Sequence, residues 1–228
     1  MAEVPPGRLL EAAGLVLRGH PSMAPLWRLA SATLDSGDGA RGAETFLREL
    51  TEDAVPPAAL AEVLPDTVLT ISYSSSVARA IELRRPSRTI CMRSEPGHEG
   101  TRLAALIAPW TRVQVMDDDR ALLDVPADAA LTGADAVTPE AVINKVKSRS
   151  LAEAAGRKGI PCYAVAGRTK LVDRPLSVGG PFEAVPLDLF TGIALPYGLL
   201  SPAEASAWAR RSRLHPALSP LLEGIART

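Results

Sequence analysis

Aromatic residues are scarce in this chain of 228 residues, at 4% of the total, so a core must be built from Ala, Leu, Val and Ile. The hydrophobic share of 46% is ample for that. Cysteine is nearly absent too. Cys91 and Cys162 are the only two, and neither belongs to a Cys-x-x-Cys pair. That excludes a zinc ribbon and a thioredoxin-like motif, and it leaves two reduced thiols in a cytosolic protein as the expectation. There is no excess of either charge. The net charge is −1 and the pI about 6.3, so no direct nucleic-acid binding and no polybasic membrane anchor are expected. No apolar run approaches the roughly 20 residues of a membrane span. The start, Met1 to Pro6, has neither a basic region nor an apolar segment, so no signal peptide is read there and a cytoplasmic location is expected. Internal repeats and low-complexity tracts are missing. No metal and no cofactor are expected.

What is present falls into two parts. The first sixty or so residues read as helices. Leu9, Leu10, Ala13 and Leu17 recur at helical spacing, and Arg18-Gly19-His20-Pro21 breaks the pattern. A second helix is expected over about 22–33 and a loop over 35–39. A third helix carries Phe46, Leu47 and Leu50. A short helical turn follows, with Pro57 suited to its first turn. After Pro65-Asp66 the pattern changes. The short β-branched run at 67–72 reads as a buried strand, and further strands are read at 89–92, 112–116, 128–132 and 161–166. Helices are expected over 74–83, 100–108 and 141–155, the last stopped by Gly156 or Gly159. Ser201-Pro202-Ala203-Glu204 has the form of a capping box opening a helix that carries Trp208. The expected fold is α/β: a small N-terminal helical unit, 1–62, followed by a Rossmann-like parallel-sheet domain with a C-terminal helix, 63–228.

In an open parallel sheet, ligands bind beyond the carboxyl ends of the strands. Ser72, Ser74, Ser75 and Ser76 follow the first strand. They suit either a phosphate held by hydroxyls and free N–H groups or plain helix capping. The loop Arg93-Ser94-Glu95-Pro96-Gly97-His98-Glu99-Gly100 follows the second strand. Its charge and glycine fit a binding loop or an ordinary surface loop. Gly133-Ala134-Asp135 follows the fourth strand, and its small residues allow a tight turn and close approach. Asn144 and Lys145 come nine and ten residues after Asp135, at the start of the expected helix. Carboxylate, amide and ammonium thus converge on one small polar molecule, or Asp135 and Lys145 form an ion pair that ties loop to helix.

Several of these stretches resemble one family. Gly133-Ala134-Asp135-Ala136-Val137, Val142-Ile143-Asn144-Lys145 and Ser150-Leu151 continue into Gly159-Ile160-Pro161-Cys162-Tyr163-Ala164-Val165-Ala166. With Thr70 to Ser75, and with Phe182 to Pro186 through Gly198 to Pro202, they are similar to the regulatory alpha, beta and delta subunits of translation initiation factor 2B. That superfamily also holds methylthioribose-1-phosphate isomerase and ribose-1,5-bisphosphate isomerase. Arg18-Gly19-His20-Pro21 looks like the isomerases' Arg-Gly phosphate loop. The family's helical domain is usually longer, so the chain reads as a shortened member. The resemblance implies a phosphorylated small molecule as ligand, bound by Arg18, Gly19, Ser74, Ser75, Arg93, Arg102, Asn144 and Lys145, and a homodimer.

The resemblance also implies a catalytic pair, an aspartate mapping onto Asp135 and a cysteine mapping onto Ser72. A thiol titrates near 8.5 and suits acid/base work, whereas a serine hydroxyl needs a neighbouring base. The family's Glu-Ser-Arg-Pro is here Arg93-Ser94-Glu95-Pro96, with the charges exchanged. Two functions follow: a ligand-binding member without full isomerase chemistry, or an aldose–ketose isomerase in which Asp135 alone moves protons and Ser72 orients the substrate.

Overall fold

A computed structural model of the chain describes residues 6–51 and 53–226. The stretch Met1 to Pro6, on which the signal-peptide expectation rests, lies mostly outside these residues. Helices α1 (Pro6–Gly19), α2 (Ala24–Asp35), α3 (Gly39–Thr51) and α4 (Val55–Val63) come first. Helix α2 opens late, behind Met23, with a proline in its first turn. The same device starts α4, where Pro56 and Pro57 lose no helical hydrogen bond.

The main sheet begins with β1 (Thr67–Thr70), followed by α5 (Ser75–Arg84), β2 (Arg88–Met92), α6 (Glu99–Ile107) and β3 (Arg112–Met116). Next come α7 (Asp118–Asp124), β4 (Ala129–Thr132), β5 (Ala136–Val137), β6 (Ala141–Lys145), α8 (Ser148–Lys158) and β7 (Cys162–Val165). The chain ends with β8 (Phe182–Pro186), β9 (Gly192–Leu195), β10 (Gly198–Leu200), α9 (Pro202–Arg211) and α10 (Ser219–Ala226). Seven strands form one sheet in the order β10-β9-β7-β4-β1-β2-β3, parallel except for β10. The fold is therefore the expected mixed α/β architecture with a mostly parallel sheet.

Strand alternation sends Val68 to one face and Leu69 to the other. Val68 packs with Leu60, Val77, Ile81, Leu103 and Ile107 from α4, α5 and α6. Leu69 packs with Ile90, Leu151, Ala155 and Ala205, under α8 and α9. Buried on both faces, the strands read as continuous apolar runs. Helix α9 has the expected capping box: Ser201 Oγ accepts from Glu204 N–H, and Glu204 reaches back to Ser201 N–H at 2.9 Å.

One expectation is corrected. The helix read over 141–155 is two elements, β6 and α8, so Asn144 and Lys145 stand on a strand. Strand β6 pairs antiparallel with β5 and β8 in a separate three-stranded sheet. That small sheet meets the N-terminal helices, and Ile143 and Ala136 share an apolar cluster with Leu17, Trp27 and Leu218.

Candidate functional site

The order β4-β1-β2 sets the position of the site. From β1 the chain moves to one side for β2 and β3, then returns to the other side for β4. Between β1 and β4 the connections diverge, and a crevice opens beyond their carboxyl ends. Ser72 and Ser74 leave β1 there, and Gly133-Ala134-Asp135 leaves β4. Ser74 caps α5 by accepting from Val77 N–H at 3.3 Å. Gly133 packs directly on Ser74, and a Cβ at position 133 would lie 2.6 Å from the serine hydroxyl oxygen. Close approach explains this glycine.

A cavity of about 190 Å³ fills the crevice, lined by Ser72, Ser74, Asp135, Asn144 and Lys145, by Glu99 from the segment after β2, and by Tyr73 and Lys170, which no sequence motif marked as ligand-binding. Asn144 is buried and donates to Ser148 Oγ at 2.9 Å, which fixes its amide. Lys145 is buried too, and its ammonium donates to Glu99 Oε1 at 2.7 Å. The alternative of an Asp135–Lys145 ion pair is therefore replaced: Lys145 pairs with the first residue of α6. The other oxygen of Glu99 is buried and has no hydrogen-bond partner.

Asp135 faces a different cation. Lys170 ends a short 3₁₀ turn after β7, and its ammonium donates to the Ala134 carbonyl. Burial raises the Asp135 carboxyl above its ordinary range, an effect that the positive charge of Lys170 partly offsets. Burial likewise lowers the Lys170 ammonium, against the pull of Asp135. The Asp135 backbone also binds across the molecule: its carbonyl accepts from Ala24 N–H at 3.1 Å, at the start of α2.

That bond brings the Arg18 loop to the site. A second cavity of about 510 Å³ is lined by Arg18, Gly19, His20 and Ser22, with the Ser177–Gly180 segment opposite. Pro181 and Phe182 line both cavities. Trp27 holds this loop from below, donating from its ring nitrogen to the Pro21 carbonyl at 2.9 Å.

Ser72 has a left-handed backbone, φ 66°, which an L-residue adopts at a cost of roughly 1–3 kcal/mol. Its N–H donates to Ser94 Oγ at 2.7 Å, and Ser94 is itself left-handed. The Ser94 loop hangs on Asp118, which accepts from Ser94 N–H at 2.7 Å and Glu95 N–H at 3.0 Å. The remaining expected residues lie outside the cavity. Ser75 is exposed in the first turn of α5. Arg93 pairs with Glu95 at 3.5 Å and Asp117 at 4.0 Å, so the exchanged charges keep an ion pair within the loop. Arg102 reaches the site only through Tyr73, whose ring it covers at 5.2 Å. Cys91 and Cys162 are buried, and burial pushes both thiols up to about 12. Among the described residues there is no cluster of potential metal ligands and no helix long and apolar enough to cross a membrane.

Fold and crevice together define an α/β domain with a polar crevice at its switch point and a helical segment packed across it. The chain belongs to the Initiation factor 2 subunit family (IF-2B), which residues 41–190 match. It is similar in structure to the translation initiation factor eIF-2B of Pyrococcus horikoshii OT3, with 26% identity, a TM-score of 0.77, and coverage of 87% of this chain and 83% of the other. It also shares its fold with eIF2B beta of Chaetomium thermophilum (15% identity, TM-score 0.68, 92% and 79% covered). A third fold relative is 5-methylthioribose 1-phosphate isomerase of Pyrococcus horikoshii OT3 (19% identity, TM-score 0.59, 94% and 69% covered). A sequence search among curated proteins finds no match.

Proposed function

We propose that this chain binds a phosphorylated sugar or nucleotide and lacks full isomerase chemistry. The phosphate sits at the Arg18-Gly19 loop and the sugar beside Asp135, Asn144 and Lys145. The observation that carries the reading is the wall of Pro181 and Phe182 common to both cavities, which makes the cavity holding the exposed Arg18 the neighbour of the Asp135 cavity. The catalytic limit rests on position 72. A hydroxyl there needs a base, and the hydrogen bond Ser72 makes uses its backbone N–H. Neither cysteine substitutes, because both thiols are buried and raised.

A second reading, an aldose–ketose isomerase of a pentose 1-phosphate, is favoured by the upward shift of the Asp135 carboxyl, the direction that suits a group passing a proton between adjacent carbons. The family's dimer and a cytoplasmic location are carried over as part of the proposal. So is the division into a helical unit, 1–62, and a Rossmann-like unit, 63–228, supported by the first strand appearing only at Thr67.

The test is thermal denaturation with ribose 1-phosphate, ribose 1,5-bisphosphate, methylthioribose 1-phosphate and nucleoside monophosphates. One or more should raise the melting temperature, and Arg18→Ala should erase the rise. No rise with any of them overturns the proposal. Ketose product from any of the pentose phosphates, abolished in Asp135→Asn, would establish the second reading in its place.

A further inference from the structure

The cavity around Asp135 is lined by four charged side chains, two of each sign: Glu99 and Asp135 against Lys145 and Lys170. Each cation is already engaged. Lys145, 6% exposed at its side chain, donates to Glu99 at 2.7 Å. Lys170 donates to the Ala134 carbonyl and feels the charge of Asp135. Among the described residues the neighbouring cavity is charged differently, with Arg18 as the one guanidinium and no carboxylate in its wall. The two compartments therefore select different chemistry. An anion entering the Arg18 side meets a positive charge with no described carboxylate beside it in the wall. An anion entering the Asp135 side must displace Glu99 from a buried pair or sit beside it.

Glu99 makes the second choice costly. One of its oxygens is buried without a hydrogen-bond partner, so its negative charge is incompletely satisfied. The group favoured next to such a carboxylate is a donor, such as a hydroxyl or an amine. A phosphate dianion is repelled there.

From this charge balance we infer that the site takes a ligand with one phosphate only, whose other end is uncharged and rich in hydroxyl groups, and that Glu99 sets this selectivity. The inference rests on the proposed phosphate site at Arg18 and narrows its ligand class. Glu99 is a specificity residue in this account. Its position beside Gly100, at the first turn of α6, faces the cavity from the β2 side.

The experiment is calorimetric titration of the full chain with ribose 1-phosphate and with ribose 1,5-bisphosphate. The monophosphate should bind at least about tenfold more tightly, the scale expected for one close like-charge contact. Glu99→Gln frees Lys145 to meet a second phosphate, and it should shrink the ratio to about threefold or less. Lys145→Met removes the cation and keeps the carboxylate, so it should widen the ratio; this variant serves if Glu99→Gln fails to fold. A wild-type chain that binds the bisphosphate as tightly as the monophosphate overturns the inference and leaves the Arg18 site standing. An unchanged ratio in Glu99→Gln, or a narrowed one in Lys145→Met, overturns the role of Glu99. If neither ligand binds and Arg18→Ala changes nothing, the proposed function falls, and this inference with it.

Discussion

Gly133 lies against Ser74 so closely that a methyl group on it would come within 2.6 Å of the serine hydroxyl oxygen. The end of β4 and the cap of α5 are thereby fitted to each other. Gly133→Ala should push Ser74 off Val77 N–H and cost about 1–3 kcal/mol, typical of overpacking. Urea denaturation measures this. A variant as stable as the wild type would mean that the turn has room to yield.

The buried carboxyl of Asp135 gives folding a pH dependence. Burial raises its pKa in the native chain, so native protein holds the proton to higher pH than unfolded protein. Stability is then greatest below the unfolded value and falls as pH rises through the folded one. Asp135→Asn removes that fall. Its stability relative to wild type should increase as pH rises above the ordinary carboxyl range of about 4, read from denaturation midpoints. Parallel curves would show that the carboxyl is free of a burial penalty. Lys170→Met should raise the Asp135 pKa further by removing the opposing charge, which carbon-13 detected titration of the carboxyl would follow.

Thiol chemistry separates position 72 from the two native cysteines. With both thiols raised to about 12, neither should react with a disulfide reagent near neutral pH until the chain unfolds. Ser72→Cys puts a thiol on the cavity wall, and the native variant should gain one fast-reacting group. A ligand of the site should slow that reaction. Fast labelling of Cys91 or Cys162 in the wild type would contradict their burial.

Trp27 links stability to the Arg18 loop. It is 1% exposed and donates to the Pro21 carbonyl. Trp27→Ala should cost about 3–5 kcal/mol as a large core truncation. Trp27→Phe keeps most of the ring and loses the hydrogen bond, so about 0.5–1.5 kcal/mol is expected. In both, phosphate-ligand affinity should fall alongside stability, because Pro21 carries the loop. Unchanged affinity in Trp27→Phe would separate the loop from its support.

Much of this was legible in the sequence, for identifiable reasons. The short runs ending at Thr70 and Thr132 are buried on both faces, and the polar residues directly after them had to gather at one end of the sheet. Hence Ser72 and Asp135 came together as expected. The stretch 141–145 was misread because the strongly helical Leu151 to Ala155 follows it closely. Val142 and Ile143 do favour a strand, but their partner strand begins only at Phe182, far along the chain. Nothing local fixes such a pairing. Lys170, and the pairing of Glu99 with Lys145, were not legible for a related reason. Lys170 follows β7, the neighbour of β4, and the rule that placed Asp135 would have flagged it once strand order was known. The partner of Lys145 lies across a crossover, on α6, while Asp135 is the nearer carboxylate in sequence.

The backbone bond from Ala24 N–H to the Asp135 carbonyl sets a limit on truncation. The helical segment is not a removable ornament on a self-sufficient sheet. Trimming the chain into α2 would strip a donor from the turn that carries the acidic residue, and the loss would register there before it touched any strand. A shorter form of this fold keeps its pocket only while that first turn of α2 survives.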